Sequence, residues 1–439
     1  MRRPLSTLLC TALILLTYPA QMLNPSYAQP PIPDSSLDEF IRARDLCHDF
    51  LLRRMRNSAG GFYSTYSEIY PDSSSYGVNH EVTSESTGLA LEYAIKSGNL
   101  TLFNEQFEFL RRHQIGVLGT TYWKLNPDLT AFRNLNVFSS ALIDDLRILD
   151  ALITGYEIWK DSRYLELAKV MINGIRLYEA EGHLLAENLD WTTNRAAMRS
   201  TTTILGYLDI KAILAASQYE STLNETYART VNLILQAQFN TTGLFYERYN
   251  ISSGTYFNPE DGANTILQLL TTLHLAEAGY RKEAKASYTF LKDRLMKDGA
   301  VHSSYDPADG RHPDEELDTG SYSLYAILAT ALGDTDFSSL ILKTKVLPKQ
   351  NLDQTSRLYG AFVTRWPGEI LDANSWDNLL ALNSLTTLIS TLGQVDVGPS
   401  IPAGTAMFVL VFGISIVAVT TYVLKARRCS IQSGEETIG

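Results

Sequence analysis

Residues 84–95, SESTGLALEYAI, carry the pattern that decides the fold: a short polar start followed by an apolar helix. A helix with so few charges must be buried on most sides. Five more apolar helices begin in the same way, at a spacing of roughly 57 to 60 residues, and amphipathic helices lie between them. The six polar starts are residues 84–86, 143–145, 200–202, 260–262, 318–320 and 374–377.

A constant spacing of this size, with two helices in each period, is typical of a repeat architecture. We predict an all-α fold in which six helical hairpins close into an (α/α)6 barrel with the apolar helices inside. An open solenoid is the alternative, but its inner surface would not require polar groups only at the helix starts. The predicted inner helices cover residues 87–95, 139–158, 202–216, 264–276, 322–332 and 376–392, and outer helices include 37–55, 100–113, 164–178 and 280–296.

The N-termini of the inner helices would meet at one end of the barrel, and carboxylates collect there. Taken singly, each acid is more often a helix cap, because Asp is favoured at that position and the helix dipole stabilises acids in the first turn. As a set beside aromatic residues they suit carbohydrate chemistry, since aromatic faces stack on sugars and two carboxyl groups can cleave a glycosidic bond. The acids are Glu85, Asp144, Asp145, Asp261, Asp318 and Asp377, and the aromatic residues include Trp123, Tyr256 and Trp376.

Four stretches resemble glycoside hydrolase family 8, whose members are inverting, endo-acting enzymes built on an (α/α)6 barrel. Residues 82–91, VTSESTGLAL, resemble the family segment V-S-E-G-x-x-Y-G-M, and residues 103–109, FNEQFEF, resemble F-D-x-L-W-x-W. Residues 122–126, YWKLN, look like x-W-K-x-x, and residues 145–152, DLRILDAL, are similar to D-x-D-I-A-x-A-L. The resemblance covers about residues 80 to 180.

This resemblance implies roles for three acids. Glu85 matches the general acid, and Asp145 matches the aspartate that binds the sugar at the point of cleavage. The family's base begins the eighth helix in a Y-D-A-x-R motif, and counting helices leads to Asp261, with Asn264 in place of the arginine. Asp318 is the next candidate if Asp261 points away. We predict that substrate is also bound by Trp123, Asp144, Tyr256, Asp318 and Trp376.

The predicted function is therefore hydrolysis of a polysaccharide, β-linked by analogy with the family, through an inverting two-carboxylate mechanism. That mechanism needs the carboxyl groups roughly 6.5–9.5 Å apart, to leave room for a water. A carbohydrate-binding or structural surface module with a degenerate site is one alternative. Another is an isomerase or lyase on the same barrel, although those usually recruit His or Tyr and no His begins an inner helix. No metal site or cofactor is expected, because the usual motifs are missing from the sequence.

The two ends of the chain predict export and a membrane anchor. Residues 1–28 have the basic head, apolar core and small-residue exit of a signal peptide. Residues 403–424 carry no charge over a run long enough to span a bilayer, and basic residues follow directly. We therefore predict a single-pass protein of the cell membrane with its barrel, residues 29–398, outside and its tail, residues 425–439, in the cytoplasm.

Composition agrees with an exported, monomeric enzyme. The net charge of -11 makes nucleic acid an unsuitable partner. Cys47 is the one cysteine between the two predicted end segments, so we expect no internal disulfide. Four sequons for N-glycosylation begin at Asn99, Asn224, Asn240 and Asn250.

Overall fold

The computed structural model describes residues 34–67, 80–313, 315–365 and 371–393, and these contain twelve α-helices. Even-numbered helices are the apolar ones of the sequence pattern, and odd-numbered helices are the amphipathic ones. The helices are α1 (Asp34–Phe50), α2 (Ser84–Lys96), α3 (Leu100–Phe109), α4 (Leu142–Trp159), α5 (Ser162–Gly174), α6 (Ile210–Ser217), α7 (Leu223–Gln236), α8 (Thr265–Glu277), α9 (Arg281–Asp298), α10 (Thr319–Ala331), α11 (Thr335–Ile341) and α12 (Ser375–Gly393).

The even-numbered helices form a closed inner ring. Each one contacts the next, and α12 returns to contact α2. Each odd-numbered helix packs on a neighbouring inner helix, with α1 against α12 and α3 against α2. The prediction of an (α/α)6 barrel of six helical hairpins is confirmed.

Burial explains why the two kinds of helix take inner and outer places. α10 is buried without a break from Thr319 to Ala329, as expected for a helix enclosed by neighbours. α9 buries only Ala284, Ser287, Tyr288, Leu291 and Leu295, a stripe with the spacing of one helix face. Burial of such stripes against the inner ring supplies the main stabilising free energy.

Short strands lie at the end of the barrel where the inner helices begin. β2, β12 and β15 lead directly into α2, α8 and α12. All the sheet pairings are antiparallel, in the orders β1-β15-β14, β2-β3, β4-β7-β8, β5-β6, β11-β10-β9 and β12-β13. The strands are β1 (Thr65–Ser67), β2 (Val82–Thr83), β3 (Lys124–Leu125), β4 (Val137–Ser139), β5 (Ala180–Glu181), β6 (Leu184–Leu185), β7 (Leu189–Thr192), β8 (Ala197–Arg199), β9 (Thr202–Ile204), β10 (Arg248–Asn250), β11 (Thr255–Phe257), β12 (Ala263–Asn264), β13 (Ser304–Tyr305), β14 (Thr364–Arg365) and β15 (Leu371–Asn374).

The third inner helix is shorter than predicted. The sequence indicated a helix over residues 202–216, but Thr202–Ile204 forms β9 and pairs with β10. A single 3₁₀ turn, Leu205–Tyr207, follows before α6 begins. The β-branched residues at 201–204 favour a strand over a helix. The apolar run therefore contains a strand and a helix rather than one helix.

Close backbone contact joins the fifth and sixth hairpins at this end. A Cβ atom added to Gly320 would lie 2.3 Å from Cδ1 of Trp376 and 3.0 Å from a carboxylate oxygen of Asp377. The backbone N–H of Gly320 instead donates to Asp377 at 2.6 Å. Only glycine fits here, and its small size brings the starts of α10 and α12 together.

The predicted signal peptide (residues 1–28) and membrane span (residues 403–424) lie outside the described residues. Within the part of the chain that the structure describes, no helix is both long enough and apolar enough to cross a membrane.

Candidate active site

Glu85 lies in the first turn of α2, at the mouth of the barrel. Thr83 caps this helix by accepting the backbone N–H of Ser86. The N–H of Ser84 donates to the carbonyl of Trp123 at 2.9 Å, which fixes the helix start against the neighbouring loop. Burial raises the pKa of the Glu85 carboxyl to about 7; the charge of Asp144 adds to this rise and that of Arg147 opposes it. Glu85 can therefore hold a proton near neutrality.

Asp144 is the acid beside Glu85, and two donors hold it. Its carboxylate accepts a 2.6 Å hydrogen bond from Ser84 Oγ and a 3.2 Å bond from Nη1 of Arg147. Burial raises the pKa of Asp144 above its ordinary value, and the Arg147 charge and the Ser84 hydrogen bond oppose this rise. Neighbouring buried carboxyls with raised pKa values are typical of acid–base sites.

Asp318 approaches the same mouth from α10. It is exposed, and its side chain caps α10 by accepting the N–H of Ser321 at 2.7 Å. Its negative charge acts on Glu85 and on Asp377, raising the pKa of each. For Asp377, burial is the largest cause, and the pKa reaches about 6. Asp318 thus combines access to solvent with closeness to the Glu85 charge.

Asp145 does not reach the mouth, which corrects the prediction that it binds sugar. Its side chain is fully buried, and one oxygen accepts the backbone N–H of Thr121 at 2.7 Å. The other carboxyl oxygen faces Glu179, which is also fully buried and accepts a hydrogen bond from Ser140. The next residue on a helix points about 100° away, so the shift from Asp144 to Asp145 separates a mouth acid from a structural one.

Asp145 and Glu179 form a buried carboxyl pair that must share a proton. Each has one oxygen without a hydrogen-bond partner when both are ionised. Burial is the main reason that the pKa of Asp145 lies well above its ordinary value, with the Glu179 charge next. Burial likewise raises the pKa of Glu179 to about 7.

Because this pair holds a proton in the folded state, we predict that the free energy of unfolding falls as the pH rises. The folded protein keeps a proton up to about pH 7 that the unfolded chain releases near its ordinary pKa of 4.5. Each pH unit in that window therefore costs about 1.4 kcal/mol per proton. In Glu179→Gln the amide can donate to Asp145 in place of the shared proton. Urea unfolding between pH 4.5 and 7.5 should give a shallower fall in the free energy of unfolding than in the wild type.

Glu181→Gln is the matched control for this experiment, because Glu181 is exposed and pairs with Arg199 on the surface. It should keep the wild-type slope. An unchanged slope in Glu179→Gln would mean that the buried pair does not share a proton.

Asp261 lies apart from this group of acids. It is exposed on the loop before β12, and its backbone carbonyl accepts a hydrogen bond from Ser304. It lines a cleft of about 780 Å³ together with Glu247, Asn264 and His312. The charges that act on the pKa of Glu85 belong to Asp144, Arg147 and Asp318. A second cleft of about 660 Å³ contains Asp318.

The predicted aromatic residues differ in what they offer a sugar. Trp123 is half-buried next to α2, with Lys124 Nζ 5.0 Å from the centre of its ring. Trp376 is half-buried against Gly320 in the first turn of α12. Tyr256 is half-buried, and its hydroxyl donates to the carbonyl of Leu233 on the outer helix α7, so it supports the β10–β11 hairpin. Its ring packs against Tyr246 and Tyr249, and its role in substrate binding stays a prediction.

Two residues near Glu85 were not assigned from the sequence. Tyr207 lies in the 3₁₀ turn before α6; burial is the main cause that raises its pKa to about 12, and the charges of Asp144, Glu187 and Glu85 contribute. Arg147 contacts Asp144 from one turn along α4. The sequence does contain a signal for Arg147: it is a lone arginine in an apolar helix, three residues after an acid, and side chains at this spacing can form an ion pair. Tyr207 had no such signal, because the segment read as a plain helix.

Within the described ranges, no group of three His, Cys, Asp or Glu side chains is placed to hold a metal ion. Three carboxyl groups at the mouth accept hydrogen bonds from hydroxyl, backbone amide or guanidinium donors: Asp144, Asp318 and Asp377.

The chain shares its (α/α)6 fold with solved glycoside hydrolases, one of which is described as a member of family 8. An α-amylase from Clostridium perfringens superposes with a TM-score of 0.69 at 24% identity, over 81% of this chain and 99% of that one. The family 8 endoglucanase Cel10 of Klebsiella pneumoniae superposes with a TM-score of 0.53 at 12% identity, over 80% of this chain and 99% of that one.

One curated relative is similar in sequence. It is the Bacillus subtilis (strain 168) protein named "Putative lipoprotein YdaJ", 23% identical over 303 residues, which are 68% of this chain and 77% of the relative. No family model matches the chain. These likenesses establish the fold of the barrel and leave its activity to be argued from the site.

Proposed function

We propose that the protein is a glycoside hydrolase that cleaves a polysaccharide at the mouth of the barrel. The observation that carries this proposal is the position of Glu85, a carboxyl with a pKa of about 7 beside the acids Asp144 and Asp318. A general acid that keeps its proton near neutrality, with a second carboxyl able to act on water, is the requirement for glycoside hydrolysis. The solved structures that share the fold include proteins titled as an α-amylase and an endoglucanase.

In this mechanism Glu85 donates its proton to the glycosidic oxygen as the bond breaks. Asp318 accepts a proton from the attacking water on the opposite face of the sugar, so the configuration inverts. Asp318 is preferred to Asp261 because its charge acts on Glu85. Asp144, which Ser84 and Arg147 contact, is proposed to support the positive charge that develops on the sugar. Trp123 and Trp376 are proposed to stack on sugars at either side.

Product analysis on a panel of polysaccharides tests the function directly. We expect the protein to release reducing ends from a β-linked polysaccharide, as the motifs around Glu85 and residues 145–152 imply. Because an α-amylase shares the fold, starch and glycogen belong in the panel as well. If only α-linked polymers are cleaved, the proposed hydrolase activity stands and the proposed β-linkage of the substrate is wrong. Binding to a polysaccharide without any cleavage would identify a binding module. If the protein neither binds nor cleaves any polysaccharide in the panel, a carbohydrate function is refuted.

We also propose the arrangement that the chain ends predict. Residues 29–398 would be exported by the signal at residues 1–28 and tethered as a monomer by the span at residues 403–424, with residues 425–439 inside. A lipoprotein name for the curated relative is in keeping with a membrane-attached barrel. Of the four sequons, Asn224 and Asn240 are exposed and best placed for a glycan, whereas the side chain of Asn99 caps α3. Asn250 is half-buried at the β10–β11 turn.

A further inference from the structure

Arg147 is a buried cation inside the ring of inner helices. Its residue exposure is 7%, and most of its neighbours on α4 are apolar. It lines a cavity of about 120 Å³ within the barrel, together with Leu89, Leu324 and Leu380. Removing a charge from water costs several kcal/mol unless partners compensate. The partners that compensate for burying this guanidinium therefore indicate the role of Arg147.

The guanidinium connects the mouth of the barrel to its interior. Nη1 donates to Asp144 at 3.2 Å, and Nε lies 3.5 Å from a carboxylate oxygen of Glu92. Because Ser84 already binds the second oxygen of Asp144, both oxygens of that carboxylate have donors. Asp144 is thereby fixed in one orientation beside Glu85.

The sequence of α2 leaves space for this connection. A Cβ atom on Gly88 would lie 3.0 Å from Cδ and 3.3 Å from Cγ of Arg147. Gly88 is three residues after Glu85 and four before Glu92, so the three share one helix face. The arginine side chain crosses α2 at the glycine, between the two acids.

Other charged groups surround the guanidinium on several helices. Asp209 precedes α6 and His274 lies on α8, and each interacts electrostatically with Arg147. At the more exposed end of the same cavity, Lys211 Nζ donates to Asp150 at 2.7 Å and Glu277 lines the wall. Lys211 therefore belongs to a separate pair, although it lies in the same cavity.

We propose that Arg147, supported by Glu92, is a positioning residue that holds the Asp144 carboxyl in one orientation beside Glu85 and so fixes the pH range of hydrolysis. The proposal rests on the proposed function. Arg147 itself touches no substrate in this scheme; it acts through the two acids.

The direction of the effect follows from the sign of the charge. Arg147 lowers the pKa of Asp144 and of Glu85. Without it both carboxyls hold their protons to higher pH. An opposite charge close to a carboxyl typically lowers its pKa by about 1–3 units, so without Arg147 the alkaline limb of the activity profile, where Glu85 loses its proton, should move to higher pH. Removing the negative charge of Glu92 should move that limb to lower pH.

The test compares pH profiles of kcat/KM for Arg147→Met, Arg147→Lys and Glu92→Gln. We expect the alkaline limb to move to higher pH in the first variant, to return towards the wild-type position in the second and to move to lower pH in the third. Lys211→Met is the control, since it removes a cation from the same cavity without removing a partner of Asp144. Circular dichroism establishes that each variant is folded.

A second readout separates this proposal from the proposed function. The Glu85 resonance in a protein with ¹³C-labelled glutamate carboxyls is identified by its loss in Glu85→Gln, and its pH titration requires no substrate. The Glu85 midpoint should rise in Arg147→Met and fall in Glu92→Gln even if no polysaccharide is cleaved. Unchanged midpoints in both variants, or an equal shift in Lys211→Met, would overturn the role of Arg147. If Arg147→Met does not fold, Arg147→Lys and Glu92→Gln decide the matter through the same titration.

Discussion

Glu85→Gln should reduce polysaccharide hydrolysis by about 10²–10⁴-fold, the usual contribution of a general acid. Glutamine keeps the size of the side chain and can still donate a hydrogen bond, but it cannot transfer a proton to the leaving oxygen. Affinity for the polysaccharide should therefore remain near the wild-type value. Reducing-end assays measure the loss of rate, and calorimetric titration with the same polysaccharide measures binding.

Glu105→Gln is the matched control, because Glu105 lies on the outer helix α3 and pairs with Arg56 away from the mouth. It should retain full activity. In the wild type, the same Glu85 proton predicts that hydrolysis declines as pH rises through about 7, where the acid becomes ionised. Full activity of Glu85→Gln would remove Glu85 from the mechanism.

Asp318→Asn should cause the second large loss, again about 10²–10⁴-fold, because a neutral amide cannot take a proton from water. Asparagine is as good a helix cap as aspartate, so α10 should keep its start and the thermal midpoint should change little. The experiment measures initial rates and thermal unfolding together, which separates loss of chemistry from loss of structure.

Asp261→Asn provides the comparison for this prediction. Asp261 is an exposed carboxyl, as Asp318 is, but it lies on the loop before β12 and lines a different cleft. We expect most of the wild-type rate to remain in this variant. If Asp261→Asn is inactive and Asp318→Asn is active, the catalytic base is Asp261, as helix counting from the family motif predicts.

Much of the barrel could be predicted from the sequence, because the inner helices repeat a simple pattern of polar start and apolar body. That pattern predicts that Glu85 and Asp318 lie at one end of the barrel. It failed at residues 202–216, where an apolar run is equally suited to a buried strand and a buried helix. Tyr207 was missed for the same reason.

Finer features depend on side-chain direction, which spacing alone does not define. Asp144 and Asp145 are neighbours in sequence, yet one faces Ser84 and Arg147 and the other faces Thr121 and Glu179. The family motif matched the second of them, whereas the structure brings the first to Glu85. The contact between Gly88 and Arg147 joins two helices, and a pattern read along one chain segment does not reveal it.

The catalytic role of Glu85 can be tested by a crystal structure of the Glu85→Gln variant with an oligosaccharide of the cleaved polymer. We expect a sugar chain across the mouth, with one glycosidic oxygen within about 2.6–3.2 Å of the residue 85 side chain. Asp318 should lie on the opposite face of the adjoining sugar, with a water between them. An oligosaccharide bound away from the residue 85 side chain would rule out Glu85 as the general acid.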